Sequence, residues 1–578
     1  MASVSLPSAV TEEAVAEGAS TPGHLDEMPE LLKAACRDNP HLLEYVSGLP
    51  LPEIGMPEFV PEVSREMGSN ARPNIIYPVH GEGIFIHILF DDDDVRNRYI
   101  PIEPSTLNVR ELMRRIEVQL LELRQKLPRI DPEVDRKAQL LELLDMVTDV
   151  DDQPASTFFD RTVGFLRKDG VAVPKLTISS REREALRYLF VRDKLGMGVM
   201  DPLIIDPYIE DISCSGMGNI FIEHKVFKSL KSTISFPTYE ELDEFVLWLS
   251  ERVKKPVNYK KPIADATLPD GSRINIVYGR DVSKRGSNFS IRKFSEVPMS
   301  IFELLELGTV NYEILAYLSL AIGYGMNVFV SGETASGKTT LLNALTTFIP
   351  PLSKVLSLED TPELQVPHKN WIREVAQTTR SDDPSGGVSM FDLLKAALRQ
   401  RPNEILVGEI RGVEGNIAFQ AMQTGHSVMA TFHAASVEKL IQRITGDPIL
   451  VPKNYVDNLN VVILTSQVKL PNGKTGRRVT GIAEIVSYDP ALEAFSFVES
   501  FKWDQERDVF EFTGYMTSYV LEYKIAPRLS IQAHNRQSIY AELDRRAKIL
   551  ARLHREKKVT GFYEVLDVLS KAQREGLF

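Results

Sequence analysis

The sequence predicts an α/β protein of several domains: a C-terminal domain of alternating strands and helices, an α+β domain before it, and a largely extended N-terminal tail. Three observations carry this. The chain has 578 residues, more than one hydrophobic core usually supports. In its second half, short β-branched runs alternate with leucine-rich segments at helical spacing, the pattern of parallel strands joined by crossover helices. The first 72 residues are instead rich in Pro, Glu, Ser and Gly, most densely in LPLPEIGMPEFVPE, a composition with little apolar surface to bury.

Composition narrows the class further. Apolar residues make up 43% of the chain, enough for substantial cores. The balance of 67 basic and 80 acidic residues is −13, which argues against a protein that coats nucleic acid, although a local basic groove is compatible with it. Cys36 and Cys214 are the only cysteines, too few for a disulfide framework or a four-cysteine zinc site, so a reducing, cytoplasmic setting is expected. No apolar run approaches the roughly 20 residues that span a bilayer, and the first 30 residues lack the charged start and apolar core of a signal peptide. Membrane association is therefore expected to be peripheral.

Taken in order, residues 1–72 read as a mostly disordered tail carrying one short helix, MPELLKAACRDNPHLLEYV. A small α+β and helical subdomain follows at 73–170. It opens with NIIYPVHGEGIFIHILF, two β-rich runs around a glycine turn that predict a hairpin. Asp91 to Asp94 read as a solvated acidic loop rather than a metal site. Segments 107–127 and 136–148 space Leu, Met, Ile and Val helically, predicting a helical pair joined by PRIDPE. Residues 171–296 alternate Pro/Gly turns with short apolar strands, predicting an α+β domain. It places Arg273 (DGSRINI) and Arg292 (NFSIRKF) each on a strand after a turn, where a surface ion pair is the default expectation. SEVPMS at 295–300 reads as the hinge into the last domain, 297–578.

The last domain holds the most specific signal. In VFVSGETASGKTTLLNAL a strand (Val328 to Val330) runs into a glycine loop and then a helix with Leu341, Leu342 and Leu345 on one face. Gly332 and Gly337 let the backbone curl so that its N–H groups converge where the helix points its positive end. Gly332, Glu333, Thr334, Ala335, Ser336, Gly337, Lys338, Thr339 and Thr340 are thus the candidate segment for a nucleoside triphosphate. Lys338 is placed to hold β/γ-phosphates and the Thr339 hydroxyl to reach Mg²⁺. Three further pieces suit phosphate chemistry. PNEILVGEIRG is a buried strand ending in Glu409, an acid placed to anchor Mg²⁺. VLSLEDTPEL delivers Glu359, Asp360 and Glu363 together, one of them a candidate to orient or deprotonate water. TGHSVMATFHAAS puts His426 and His433 around an apolar strand, where γ-phosphate sensing is a better reading than zinc.

In this order GETASGKTT, LEDTPEL, ILVGEIRG and TGHSVMATFHA resemble the Walker A, Asp box, Walker B and His box of the secretion and type IV filament ATPases, the family of bacterial type II secretion and pilus motors. The resemblance covers roughly residues 180–578. DGSRINI, NFSIRKF and the C-terminal pattern FKWDQERDVFEFTGY are most similar to the archaeal branch, nearest the archaellum motor and assembly ATPase. It implies a RecA-like P-loop C-terminal domain, a homohexamer, ATP and Mg²⁺ as cofactors, and a polytopic membrane platform protein and archaellum accessory proteins as partners at the inner face of the cell membrane. By position it implies Lys338 and Thr339 at the Walker A phosphate and metal, Glu363 as the Asp-box glutamate that activates water, and Glu409 as the Walker B acid. It also implies His433, and less closely His426, as coupling residues, and Arg273 and Arg292 as arginines that approach the phosphates when domains close. The four-cysteine zinc module of bacterial secretion members is missing from this sequence, so no zinc dependence is expected.

The cations of 545–558 (Arg545, Arg546, Lys548, Arg552, Arg555, Lys557 and Lys558) read either as a membrane- or partner-facing helix or as a solvated face. An adhesive-pilus or secretion ATPase is the nearest alternative function. A DNA-transfer ATPase would need basic and aromatic residues together in a channel, and a nucleotide-switched scaffold would not need both Glu363 and Glu409.

Overall fold

The structure is a computed structural model that describes residues 28–79, 83–106, 108–123, 135–151, 164–168, 171–294, 297–376 and 387–578. The start of the expected tail, the PRIDPE connection and the first two residues of the expected hinge lie outside these. Two compact units are present, Met1–Phe294 and Ser295–Phe578.

The first unit is built on strands β1 (Glu58–Phe59), β2 (Asn74–Val79), β3 (Ile84–Leu89), β4 (Arg98–Ile102), β5 (Thr148–Val150), β6 (Gly164–Lys168), β7 (Val171–Ile178), β8 (Ile209–Cys214), β9 (Gly218–His224), β10 (Lys228–Phe236), β11 (Ile263–Thr267), β12 (Arg273–Val277) and β13 (Asn288–Arg292). Ten of them form one sheet in the order β1-β2-β3-β4-β10-β9-β8-β13-β12-β11, and β5-β7-β6 form a small second sheet. The expected hairpin is β2–β3, paired antiparallel from Asn74↔Leu89 to Val79↔Ile84. The expected helical pair is present as Val109–Leu123 and Arg136–Val147. β4 pairs with β10, so the stretches separated at residue 170 in the sequence reading share one sheet and one core. Periodicity within each stretch shows which faces are apolar, not which strands meet.

The N-terminal expectation needs a correction. Residues 28–72 are not an extended tail with one helix: the predicted helix is two, Glu30–Asp38 and Pro40–Ser47, broken at Asn39–Pro40, and a short helix, Leu51–Ile54, and β1 follow. Leu32, Cys36, Leu42 and Val46 are buried with Ile76, Phe85 and Ile102 of the sheet. Fully burying a Leu or Val contributes on the order of 1.5–3 kcal/mol, enough to fix helices that their Pro- and Glu-rich surroundings would leave unfolded. Tyr45 Oη lies 2.8 Å from His87 Nδ1, and His87 Nε2 lies 2.7 Å from Asn74 Oδ1. Burial pushes His87 down to about 3, so this lock uses a neutral imidazole. The acidic loop is spent on ion pairs: Asp91 with Arg98 (2.6 Å), Asp92 with Arg72 (2.9 Å) and Asp94 with Lys231 (3.2 Å).

The second unit contains β14 (Val328–Gly332), β15 (Val355–Glu359), β16 (Trp371–Val375), β17 (Glu404–Ile410), β18 (Ser427–Phe432), β19 (Val461–Lys469), β20 (Thr475–Asp489), β21 (Ala494–Asp504) and β22 (Val509–Glu511). Their order is β16-β15-β17-β18-β14-β19-β20-β21-β22. The first six are parallel and the last three join antiparallel. Every residue of β14, β15 and β18 is buried, the signature of parallel strands covered on both faces. Ligands of such sheets bind beyond the carboxyl ends of the strands.

The basic C-terminal helix spans Ile539–Arg555. Arg545 and Arg546 both bond Glu542, Arg552 pairs with Glu556, and the Arg555 guanidinium lies over the Tyr312 ring. More than half of its cations are therefore used within the unit, and Arg546 is buried. No helix among the described residues is long and apolar enough to cross a membrane.

Candidate nucleotide-binding site

At the carboxyl end of β14 the chain turns through Ala335 (φ +61°) and Gly337 (φ +89°) into the helix Lys338–Leu345. Glycine at 332 is dictated by space: a Cβ there would stand 2.2 Å from the Thr465 carbonyl oxygen of β19. The loop is held from three sides. Ser331 Oγ donates to Ala434 O (2.8 Å), Ser336 Oγ and Thr465 Oγ1 are 3.1 Å apart, and Arg477 Nε of β20 donates to Ala335 O (3.0 Å). The result is a small concave turn of backbone amides at a helix N-terminus, suited to a phosphate chain.

Lys338, only 8% exposed, donates to Gly332 O (3.1 Å) and Glu333 O (2.7 Å), and its Nζ lies 3.4 Å from His433 Nδ1. Burial lowers its pKa, while the Glu409 charge works the other way. Phosphate oxygens are stronger acceptors for this ammonium than loop carbonyls.

Glu409 sits in a β-bulge, since the register of β17 on β18 shifts between Val407↔Ala430 and Ile410↔Phe432. Two residues, Gly408 and Glu409, thus face Thr431 alone, and a bulge re-aims its side chains. Thr431 Oγ1 clamps it by donating to Gly408 O (2.5 Å). Glu409 Oε2 accepts from Arg411 Nη2 (2.6 Å). His433 Nε2 lies 2.9 Å from Glu409 Oε1, yet that buried oxygen completes no hydrogen bond. Burial pulls the Glu409 pKa up, but Arg411, His433 and Lys338 together hold it below its ordinary value. Burial and then the Lys338 charge lower His433, keeping its imidazole neutral at physiological pH.

Beside this lies the end of β15. Glu359, 1% exposed, accepts the backbone N–H groups of Glu363 and Leu364 at 2.6 Å each, and Arg373 Nε at 3.3 Å. Burial nevertheless raises it to about 7. Glu363 is brought to the phosphate-loop helix by Asn343, whose amide donates to Glu363 O (3.1 Å) and accepts from Gln365 N (3.0 Å).

The structure therefore gathers Gly332 to Thr340, Glu363, Glu409 and His433 around one loop. It does not gather His426, which precedes β18 near Thr424, a six-residue strand or roughly 20 Å from His433. Arg273 and Arg292 belong to the first unit, opposite each other on β12 and β13; Arg292 Nε lies 3.4 Å from Asp211 Oδ1, both side chains exposed. Sequence reasoning missed Arg411 and Arg477. Arg411 was detectable in principle, two residues beyond Glu409 and just past the end of β17. Arg477 carries no local signal, being 142 residues from the carbonyl it holds.

A triphosphate and Mg²⁺ fit these residues: the loop turns through Gly332, where β19 leaves no room for a side chain, and Gly337 at positive φ, so bare backbone lines it, and Glu409 Oε1, which completes no hydrogen bond, is an acceptor open to a cation or its water.

Comparison with known proteins agrees. The family described as type II/IV secretion system protein matches residues 193–467. An uncharacterised protein of Methanocaldococcus jannaschii, MJ0900, is 42% identical over 552 residues, covering 94% of this chain and 97% of its own. The type IV secretion system protein PtlH of Bordetella pertussis is 34% identical over 208 residues, 32% of this chain and 61% of PtlH. Among solved structures, the Legionella pneumophila ATPase DotB is 20% identical, with a TM-score of 0.36 over 51% of this chain and 81% of that one. Taken with the phosphate loop, the chain belongs to the type II/IV secretion family and is one of its ATPases.

Proposed function

We propose that the protein is a Mg²⁺-dependent ATPase that works as a homohexamer on the inner face of the cell membrane and drives assembly, and rotation, of an archaeal type IV-like filament, the archaellum. The observation that carries the catalytic part is the convergence of Lys338, Glu409 and His433 at the carboxyl ends of β14, β17 and β18. The filament assignment rests on the archaeal character of the DGSRINI, NFSIRKF and C-terminal segments and on the full-length archaeal relative. Adhesive-pilus or secretion service is the second reading, favoured by the likeness to PtlH.

In this reading the loop amides and Lys338 bind the β/γ-phosphates, and the Thr339 hydroxyl and Glu409 hold the metal. Mg²⁺, when bound, neutralises charge developing on the transferred phosphoryl group. Glu363 orients the attacking water. His433, lying between Lys338 and Glu409, links phosphate to the strand end. Arg273 and Arg292 add positive charge on domain closure, which makes closure sensitive to ATP versus ADP. A platform membrane protein and accessory proteins of the filament base receive the motion, with no nucleic acid involved.

The test is phosphate release by purified protein with and without MgATP, repeated with Lys338→Ala, together with filament counts in cells carrying the variant. Wild-type turnover by the variant would refute the catalytic part, and normal archaella in cells would refute the filament part.

A further inference from the structure

We propose that Arg411 is a positioning residue that competes with a divalent cation for the Glu409 carboxylate and, when no metal is present, supplies the positive charge that admits a triphosphate. This rests on the nucleotide site described above.

Four observations support it. First, Arg411 Nη2 at 2.6 Å is the one hydrogen-bond donor to the Glu409 carboxylate among the described residues, while the other carboxylate oxygen goes without. Second, the pair is asymmetric: the Glu409 side chain is 21% exposed and that of Arg411 64%. An exposed ion pair of this kind contributes little to stability, so holding the fold is a poor account of it. Third, the backbone of Arg411 is held independently of its guanidinium, because Arg411 N and Gly412 N both donate to Glu414 Oε1 at 2.7 Å. The head group can therefore leave Glu409 without moving the strand. Fourth, Asp360 and Glu363 also act electrostatically on Arg411, so its guanidinium lies within reach of three carboxylates, those of Glu409, Asp360 and Glu363. An incoming triphosphate adds further negative charge, against which the loop itself offers Lys338, on Gly332 O and Glu333 O, and Arg477, on Ala335 O.

A guanidinium and a metal ion cannot both take the same carboxylate oxygens at full strength. Removing Arg411 should thus produce opposite effects on two equilibria. Metal-free nucleotide loses a countercharge and binds more weakly. The metal loses a competitor, and a nearby positive charge, and binds more tightly.

The experiment is equilibrium binding of a fluorescent ATP analogue to full-length protein, first in EDTA and then across a Mg²⁺ titration, for wild type, Arg411→Ala, Arg411→Lys and Lys338→Ala. Arg411→Ala is expected to weaken binding in EDTA by about tenfold, the size of one hydrogen bond to a charged group, and to lower the half-saturating Mg²⁺ concentration severalfold. Arg411→Lys should lie between, and should stand in if the alanine variant does not fold. If both equilibria are unchanged, Arg411 is an ordinary surface ion pair and the proposal is overturned; it is equally overturned if both weaken together, which would mark a structural residue. Unaltered nucleotide binding by Lys338→Ala would instead refute the site itself, a distinguishable failure.

Discussion

Two glutamates of the second unit, half-buried Glu409 and buried Glu484, sit in opposite electrostatic circumstances. Glu484 of β20 is wholly buried and fully served: Tyr317 Oη and Ser518 Oγ donate to one oxygen at 2.8 and 2.6 Å, and Val520 N to the other at 2.9 Å. Glu409 has one bonded oxygen and one that completes no hydrogen bond although His433 Nε2 stands 2.9 Å away, and the cations acting on it are Arg411 and Lys338. A satisfied buried carboxylate ties three segments together and asks for nothing more. An under-satisfied one, ringed by movable cations, is a carboxylate arranged for a ligand that arrives and departs.

The contrast is broken most sharply through the phosphate loop. Lys338→Ala and Glu409→Gln are each expected to cut ATP turnover by about 100- to 1000-fold, the effect of losing one preorganised electrostatic contact, while leaving the unfolding midpoint of the second unit unmoved. A large loss of stability in Glu409→Gln would erase the distinction between the two glutamates.

Glu484→Ala should do the reverse. Two hydroxyls and a backbone N–H would lose their acceptor inside the core, a destabilisation on the order of 3–5 kcal/mol. Urea unfolding of the second unit reads this as a lowered midpoint at unchanged slope, with turnover retained at low temperature. A midpoint within error of wild type would show that water replaces the carboxylate and that burial alone does not define its role.

The first unit sharpens the comparison through pH. His87 and His224 are both pushed down to about 3 by burial, against 6.5 when unfolded. Below pH 6.5 the unfolded chain takes up protons that the folded chain refuses, so stability falls as pH drops from 6.5 toward 3, by up to about 1.4 kcal/mol per pH unit for each histidine. The first unit should unfold at lower urea at pH 5 than at pH 7, and His87→Gln should remove roughly half of that loss. An equal loss in the variant would show that other groups govern acid sensitivity.

The smallest effect concerns the N-terminal helices. Tyr45→Phe removes the hydrogen bond to His87 and should destabilise the helix–sheet contact by about 1 kcal/mol, measurable as faster amide exchange in Glu30–Ser47. Unchanged exchange would assign the docking of these helices to apolar burial alone.

The strand, the glycine loop, Lys338 and the two acids were legible in the sequence because their signals are local. β14 and its helix follow one another directly, Glu409 sits at the end of β17, and Glu363 lies four residues beyond the end of β15, on the side to which a parallel sheet delivers such groups. The N-terminal helices were read only in part, as one helix in a tail, because a Pro- and Glu-rich composition hides four apolar side chains that matter only once β2, β3 and β4 offer them a surface. His426 and His433 flank the same apolar run in sequence, with His433 the nearer match to a coupling position, and six residues of extended chain put them at opposite ends of β18.

By itself, then, the sequence determined the kind of chemistry: a loop that only glycine can turn, an ammonium beside it, and carboxylates at the ends of buried strands. Tertiary structure decided which charges meet. Sheet order places β19 beside β14 and β20 beyond it, so Thr465 and Arg477 grip the loop from more than a hundred residues away. A single bulge in β17 aims Glu409 at His433 and Arg411. The physical reason is that backbone preference and side-chain chemistry are properties of short segments, whereas the pairing of strands, and hence the field at any one atom, depends on contacts that only the closed sheet creates.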